Sequence, residues 1–131
     1  MRVLLDTQVL LWALMEPERL PAPLRNALSD PGHQVMFSAV NIWEITIKKS
    51  LRRPDFAFGP DEVLDAARAT PLAELPVSAE HAARVLTLEP IHHDPFDRLL
   101  IAQALCENAH LLTADRVIAR YPAMIDLMIP E

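Results

Sequence analysis

The chain contains little glycine and almost no cysteine, and both shortages exclude particular kinds of chemistry. Only two of its 131 residues are glycine, whereas a P-loop or a dinucleotide-binding fingerprint needs several glycines within a short span. Neither nucleotide motif is therefore predicted. The single cysteine, Cys106, excludes an intrachain disulfide. Its place in the apolar pattern of a predicted helix favours a buried, reduced thiol, which is typical of a cytoplasmic protein.

A long apolar run is also missing. No stretch approaches the roughly 20 apolar residues that span a bilayer, so no membrane role is predicted. Leucines follow Met1 and Arg2 as they do in a signal peptide, but Asp6 and Gln8 interrupt them. Export is therefore not predicted, and we expect a cytoplasmic location.

Positive charge is in short supply as well. Twelve Lys and Arg residues against 18 Asp and Glu residues give a net charge of -6, which opposes nucleic-acid binding in general. Four cations nevertheless cluster at Lys48, Lys49, Arg52 and Arg53. If one helix carried all four, they would share a sector roughly 140° wide. This pattern fits equally well a solvated helix end favoured by the helix dipole and a surface that steers nucleic-acid phosphates.

The pattern that is present alternates apolar strands with amphipathic helices. A chain of 131 residues that is 51% apolar supports one core, so a single domain over residues 1–131 is predicted. Strands are expected at 2–5, 34–37, 73–77 and 109–113, and helices at 7–14, 23–29, 39–50, 61–70, 79–88 and 95–107. Because strands and helices alternate, the sequence predicts an α/β fold with a central parallel sheet.

Four acidic residues stand at strand ends or near helix starts in this pattern. Asp6 ends the first strand, Glu44 lies in the third helix, Asp97 is in the first turn of the last helix, and Asp115 follows the last strand. Ligands of open parallel sheets bind beyond the carboxyl ends of the strands, so these side chains can converge. Carboxylate oxygens are the ligands that Mg²⁺ and Mn²⁺ prefer. The set therefore predicts the divalent metal site of a metal-dependent nuclease.

Each acid taken singly has a structural alternative. Asp6 and Asp115 can cap helices, and Glu44 can form a surface ion pair with Lys48, worth about 0.3–0.5 kcal/mol. Asp97 can simply complement the dipole at a helix start, for about 0.3–1 kcal/mol. Four acids in corresponding settings nevertheless favour a shared site over four separate structural roles.

Two local patterns bear on these acids. Val40, Trp43 and Ile47 form an apolar stripe at helical spacing, and the closeness of Glu44 to this stripe predicts that Glu44 is partly buried. Asp94 stands before Pro95 and competes with Asp97 for a metal role, but its position favours a helix cap.

Other reaction chemistry is poorly supported. His81, His92 and His93 lack the ligand spacing of a zinc site. We expect His92 and His93 to lie in a loop bordering the acidic edge, where one could touch a substrate phosphate. Cys106 falls in mid-helix rather than at an activating helix N-terminus. Covalent catalysis is therefore not predicted.

Four blocks of the sequence, in order, resemble a known family. They are Leu5-Asp6-Thr7, SAVNIWEI at 38–45, DPFDRLLIA at 94–102 and LTAD at 112–115. With these blocks the chain resembles the PIN-domain ribonucleases. It is most similar to the toxin half of bacterial VapBC toxin–antitoxin pairs, and the similarity runs from the first strand to the end of the chain.

The resemblance implies a three-layer α/β/α fold and an endoribonuclease that depends on Mg²⁺ or Mn²⁺. It also implies a small antitoxin as inhibitor, and homodimerisation. The family's acids match, in chain order, Asp6, Glu44, Asp97 and Asp115. This match favours Asp97 over Asp94, with Asp6 and Asp97 as the main ligands. Thr113 matches a hydroxyl position beside the fourth acid, and Thr7 is a second supporting candidate.

Three alternatives can be compared with this assignment. A haloacid-dehalogenase-like phosphatase needs a second Asp two residues after the first, and Gln8 occupies that position. A phosphoacceptor receiver domain needs paired acids after the first strand, and the chain lacks them. A PIN-fold module that is catalytically silent and only binds a partner remains open, and failure to bind Mn²⁺ would support it.

Overall fold

The computed structural model describes residues 1–127, in which five strands alternate with six α-helices. The strands are β1 Arg2–Leu5, β2 Gln34–Ser38, β3 Ala73–Leu75, β4 His110–Thr113 and β5 Ile125–Leu127. The α-helices are α1 Thr7–Met15, α2 Ala22–Leu28, α3 Ala39–Ser50, α4 Pro60–Arg68, α5 Ala79–Arg84 and α6 Pro95–Glu107. Short 3-10 turns lie at Pro17–Arg19, Val85–Thr87 and Ile118–Arg120. Within residues 1–127, every helix is too short or too polar to cross a membrane.

All five strands join one parallel sheet in the order β3-β2-β1-β4-β5. Leu4 of the central strand lies opposite Met36 on one side and Leu111 on the other. Strand β3 lies at an edge, as Pro76 directly after it predicts. Because the strands are parallel, their carboxyl ends meet at one edge of the sheet, where the site is described below.

Helices cover both faces of the sheet, and alternating side chains of β1 pack against the two layers. Leu5 packs in a core with Val9 and Leu10 of α1, whereas Leu4 packs on the opposite face with Leu100 and Ile101 of α6. All six of these side chains are completely buried. The predicted three-layer α/β/α fold with a central parallel sheet is therefore confirmed.

The predicted helix caps are present. Ser38 Oγ accepts a hydrogen bond from the backbone N–H of Val40 at 2.9 Å, and α3 begins there. Asp94 Oδ1 accepts from the N–H of Phe96 at 2.8 Å at the start of α6. Asn108 ends α6 in the left-handed conformation, with φ 52°, which Asn tolerates better than most residues.

Several details differ from the sequence predictions. The helix expected at 79–88 ends at Arg84 and continues as a 3-10 turn, and strand β5 was not predicted. Cys106 is partly exposed rather than buried, because it lies in the last turn of α6, which is only partly covered.

Only Val40 of the apolar stripe predicted on α3 is buried. Trp43 is 52% exposed and Ile47 38% exposed. The buried face carries Glu44 and Ile45 together with Val40 and Asn41. This helix faces the sheet edge with polar as well as apolar groups, so hydrophobicity alone did not identify its buried side.

Candidate metal centre

The four predicted acids line one open cleft at the carboxyl end of the sheet. The cleft has a volume of about 260 Å³ and contains Asp6, Glu44, Asp97 and Asp115. Its remaining walls are formed by Thr7, Gln8, Lys48, Asp55, Phe56 and Ala114. The parallel topology brings these groups together, because β1 and β4 are neighbours and end at the same edge.

Asp6 is both a helix cap and a member of the cleft. It is 5% exposed, and its Oδ1 accepts from the N–H of Val9 at 2.8 Å. Its Oδ2 accepts a hydrogen bond from the Thr113 hydroxyl. Burial raises the pKa of Asp6 to about 6, although the hydrogen bonds from Thr113 and Val9 oppose the rise. The carboxylate is thus held rigidly in a site that disfavours its negative charge.

Glu44 is a buried acid with two side-chain donors. It is 4% exposed, and Thr7 Oγ1 donates to Oε1 at 2.5 Å. Lys48 Nζ donates to Oε2, also at 2.5 Å. The pair with Lys48 is therefore not the surface ion pair that the sequence allowed, because both side chains are withdrawn from water at the wall of the cleft.

Lys48 is an internal cation of the site. Its side chain is 16% exposed, and Nζ also lies 3.5 Å from Oδ2 of Asp94. The Phe56 and Phe96 rings lie 5.2 and 5.7 Å from Nζ. Burial alone would lower the pKa of Lys48, but the hydrogen bond and charge of Glu44, with those of Asp94, raise it above its usual value.

The other three predicted cations do not share a helical stripe with Lys48. Helix α3 ends at Ser50, and Arg52 takes a left-handed conformation with φ 56°. Lys49 donates to the backbone carbonyls of Phe56 and Ala57 at 3.3 and 3.0 Å. Arg53 pairs with Asp55 at 3.2 Å. The 140° sector is therefore wrong, because the chain turns before the second pair of cations.

Asp97 is the most strongly perturbed acid of the cleft. It occupies the third position of α6, with its side chain 17% exposed. Burial raises its pKa to about 8, and the negative charges of Asp94 and then Glu44 contribute further. Near neutral pH, this carboxyl group therefore holds a proton in the metal-free protein.

Asp115 lies on the more open side of the cleft, with its side chain 36% exposed. Its Oδ1 accepts from the N–H of Val117 at 2.8 Å, and its own N–H donates to Thr113 Oγ1 at 3.0 Å. His92 Nε2 lies 2.9 Å from Oδ2 of Asp115 and 3.1 Å from Oδ2 of Asp97. Ligand-type atoms of these three side chains lie within 4.8 Å of one another.

Asn41 supports the site and was not singled out from the sequence. Its side chain is completely buried, and Nδ2 donates to the Leu5 carbonyl at 3.2 Å and to Thr7 Oγ1 at 3.1 Å. Its Oδ1 accepts from the N–H of Ser38 at 2.6 Å. The Ser38–Asn41 spacing of a capping box was the available signal. Asn41 ties the end of β1 to the start of α3 and orients Thr7 toward Glu44.

The donor set suits a hard divalent cation. The cleft offers carboxylate oxygens, which Mg²⁺ and Mn²⁺ prefer, and the residues lining it include neither a thiol nor a second imidazole that would favour a softer metal. Burial is the main cause of the raised pKa values of Asp6 and Asp97, and neighbouring negative charges add to it. A bound cation would stabilise the charged form of both carboxylates.

Comparisons with solved structures identify the fold. The chain is similar to VapBC2 from Rickettsia felis bound to a promoter DNA fragment, with a TM-score of 0.74 and 19% identity over 98% of this chain and 100% of that one. It is also similar to DNA-bound VapBC from Salmonella typhimurium, with a TM-score of 0.69 and 15% identity over 96% and 97% of the two chains. VapBC-1 from nontypeable Haemophilus influenzae gives a TM-score of 0.67 and 16% identity over 97% and 98%.

Two comparisons of the sequence, with curated proteins and with models of protein families, give different results. No curated protein matches the chain. The model of the PIN domain family, however, matches residues 3–124. This match spans the strands β1 to β4 and all four acids of the cleft. The chain therefore belongs to the PIN domain family.

Proposed function

We propose that the protein is a metal-dependent endoribonuclease and the VapC-like toxin of a toxin–antitoxin pair. The observation that carries this proposal is the convergence of Asp6, Glu44, Asp97 and Asp115 on one cleft of a PIN domain. The similarity to solved VapBC structures supports the toxin assignment. RNA is the proposed substrate, Mg²⁺ or Mn²⁺ the proposed cofactor, and the cytoplasm the proposed location.

The reaction would be hydrolysis of a phosphodiester bond. When bound, the divalent ion would lower the pKa of a water molecule and neutralise charge that develops on the phosphate. Asp6 and Asp97 are the main candidates to hold the ion, and Glu44 and Asp115 are candidates to complete its surroundings or orient water. None of these roles requires a protein nucleophile.

Hydroxyl groups and Lys48 fix the acids from behind. Thr113 donates to Asp6 and Thr7 donates to Glu44. The other oxygen of Asp6 accepts from the N–H of Val9 and that of Glu44 from Lys48, so both oxygens of each carboxylate are held in place. Lys48 places a positive charge in the cleft wall beside Glu44, where it also suits a substrate phosphate. Arg52 and Arg53 are exposed outside the cleft and remain RNA-contact candidates together with Lys49.

Protein partners are part of the proposal. A cognate antitoxin is proposed because the similar solved structures are described as VapBC complexes. Trp43 and Ile47 of α3 and Leu51 directly after it are 52%, 38% and 68% exposed and follow one another at a spacing of four residues. An apolar strip of this kind is typical of a protein interface, and it supports binding of the antitoxin or of a second copy.

A catalytically silent PIN-fold binding module is the second candidate. The observation in its favour is Lys48, which already compensates Glu44 and Asp94 from within, so part of the cluster is stable without a metal. A phosphatase of the haloacid-dehalogenase type is disfavoured, because Gln8 lines the cleft where that chemistry needs an acid.

The test is cleavage of a mixed RNA pool by the purified protein in Mn²⁺, in Mg²⁺ and in EDTA. Asp6→Asn serves as the inactive control. We expect cleavage with either metal, none in EDTA and none with Asp6→Asn. If no condition gives cleavage after mass spectrometry has shown the preparation free of antitoxin, the silent binding module replaces the nuclease.

A further inference from the structure

His92 joins two of the four acids in the cleft. Its Nε2 atom lies 2.9 Å from Oδ2 of Asp115 and 3.1 Å from Oδ2 of Asp97. Asp97 belongs to α6, whereas Asp115 follows β4. The ring nitrogen hydrogen-bonds to Asp115 and contacts Asp97, two acids from separate elements. The side chain of His92 is 15% exposed.

The hydrogen bond on the other ring nitrogen fixes the tautomer of His92. The backbone N–H of Asp94 donates to Nδ1 at 3.0 Å. A backbone N–H can only donate, so Nδ1 must be the acceptor, and the proton of the neutral ring is on Nε2. The ring therefore donates its Nε2–H group to Asp115, and the same nitrogen contacts Asp97. Because Nε2 carries this proton, it has no free lone pair with which to bind a metal ion.

The loop that carries His92 is held on both sides of the residue. The backbone N–H of His92 donates to the Tyr121 hydroxyl at 2.7 Å. Arg98 Nη1 reaches the same hydroxyl at 3.3 Å, the His92 carbonyl at 3.4 Å and the Glu89 carbonyl at 3.1 Å. These contacts tie the loop to α6 and to the chain after β4. His92 is thus placed by the fold, whereas its neighbour His93 is exposed.

We propose that His92 is a positioning residue of the metal site and not a metal ligand. By donating to Asp115 and packing against Asp97, the ring keeps these two acids at a fixed separation, so that both can face an incoming divalent ion. This inference rests on the proposed function of the cleft. A carboxylate oxygen accepts more than one bond, so the hydrogen bond from His92 leaves capacity for the ion.

The size of the effect follows from similar arrangements elsewhere. Removing a hydrogen-bond partner of a metal-binding carboxylate typically costs about 10–100-fold in metal affinity. We expect a loss in that range for His92→Ala.

The experiment measures Mn²⁺ binding without RNA, by following the electron paramagnetic resonance signal of free Mn²⁺ during a titration. His92→Ala should weaken binding by about 10–100-fold. His92→Gln retains an N–H donor and should recover most of the affinity. His93→Ala, the matched control in the next residue, should bind like the wild type. Urea unfolding of each variant in EDTA verifies that all of them fold.

Electron spin echo spectroscopy on the Mn²⁺-loaded wild type separates positioning from ligation. A positioning role predicts no strong coupling to a directly bound nitrogen. A ¹⁴N coupling of the size found for coordinated imidazole would overturn the proposal, and so would wild-type affinity in a folded His92→Ala. A wild-type protein that does not bind Mn²⁺ would overturn both proposals. Binding that depends on His92 without RNA cleavage would reject only the nuclease.

Discussion

Asp94 Oδ1 accepts a hydrogen bond from the backbone N–H of Asp97 at 3.3 Å, so the two acids of the first turn of α6 have different tasks. Asp94 caps the helix through this bond and the shorter one from Phe96. Asp97 lines the cleft. Local sequence favoured Asp94 as a cap, and the structure agrees. The charge of the cap still acts on its neighbour, because it helps to raise the pKa of Asp97.

Replacing Asp94 by Ser should therefore make metal binding less sensitive to acid. Ser retains a capping oxygen but removes the negative charge beside Asp97. The pKa of Asp97 should fall, and the pH at which Mn²⁺ affinity reaches half of its maximum should fall by about one unit. Calorimetric titration with Mn²⁺ between pH 5.5 and 8.5 measures this midpoint.

The control for this variant is Asp61→Ser, which removes the same charge from the first turn of α4, away from the cleft. Its midpoint should match that of the wild type. If Asp94→Ser leaves the midpoint in place while the protein remains folded, the charge of Asp94 does not govern the ionisation of Asp97.

The raised pKa values of Asp6 and Asp97 also predict how the stability of the metal-free protein depends on pH. Each group binds its proton more tightly in the folded state than in the unfolded chain, where the pKa of an Asp carboxyl group is 3.8. The free energy of unfolding should therefore fall as pH rises. The contribution of Asp6 should be lost between about pH 4 and about pH 6, and that of Asp97 between about pH 4 and about pH 8. Above pH 8 this loss is complete.

Asp97→Asn isolates the larger of the two contributions. Near pH 7 only Asp97 of the pair retains its proton in the folded state. The free energy of unfolding of the wild type should therefore fall by about 1.4 kcal/mol per pH unit relative to that of Asp97→Asn.

Asp6→Asn should abolish activity and leave the metal-free protein at pH 7 as stable as the wild type or more stable. Urea unfolding in EDTA at pH 6, 7 and 8 gives these values. Parallel pH profiles for wild type and Asp97→Asn would contradict the expectation for Asp97. A large loss of stability in Asp6→Asn would contradict the expectation for Asp6.

Lys48→Met should destabilise the metal-free protein. The same substitution should destabilise the Mn²⁺-bound protein less. The substitution leaves the buried Glu44 carboxylate without its cation, which costs about 1–3 kcal/mol for an uncompensated buried group. A divalent ion in the cleft would supply positive charge in place of the ammonium group. Thermal unfolding with EDTA and with saturating Mn²⁺ measures both costs.

Lys49→Met is the matched control, because Lys49 donates to backbone carbonyls at the end of α3 and not to a carboxylate of the cleft. Lys49→Met should lower the thermal stability by the same amount with EDTA and with saturating Mn²⁺. An equal cost for Lys48→Met with and without Mn²⁺ would indicate that Lys48 and the ion do not share the charge of Glu44.

Much of the fold could be predicted because its signals are local. Ser38 and Asp94 mark helix starts by their own hydrogen bonds, and the apolar run of β1 ends at Asp6. The order of strands and helices then implies a parallel sheet whose ends converge. Strand β5 was missed, because it has only three residues, Ile125–Leu127, and its pairing with β4 is a tertiary property.

The arrangement of the cleft depended on contacts that spacing does not reveal. Lys48 turns inward because its ammonium group pairs with the buried Glu44 and lies near the Phe56 and Phe96 rings. His92 meets Asp115 only when the loop before α6 folds against the chain after β4. The spacing of four residues predicted the pair of Glu44 with Lys48 but not its burial, because the Phe56 and Phe96 rings are distant from Glu44 in sequence. His92 and Asp115 are also distant in sequence, so motif spacing could not predict their contact. The roles of the four acids and the extent of the domain over residues 1–131 remain predictions.

The exposed arginines beyond α3 give the last prediction, which concerns RNA binding. Arg52→Gln combined with Arg53→Gln should weaken RNA binding mainly at low salt, if both cations contact phosphates of single-stranded RNA. The slope of log affinity against log salt should shrink by about 0.7 for each lost contact, hence by about 1.4. Fluorescence anisotropy in an Asp6→Asn background measures binding without cleavage. Arg68→Gln combined with Arg84→Gln removes the same charge at other exposed positions and should leave the slope unchanged. Equal slopes for the two double variants would identify Arg52 and Arg53 as solvated cations with no role in substrate binding.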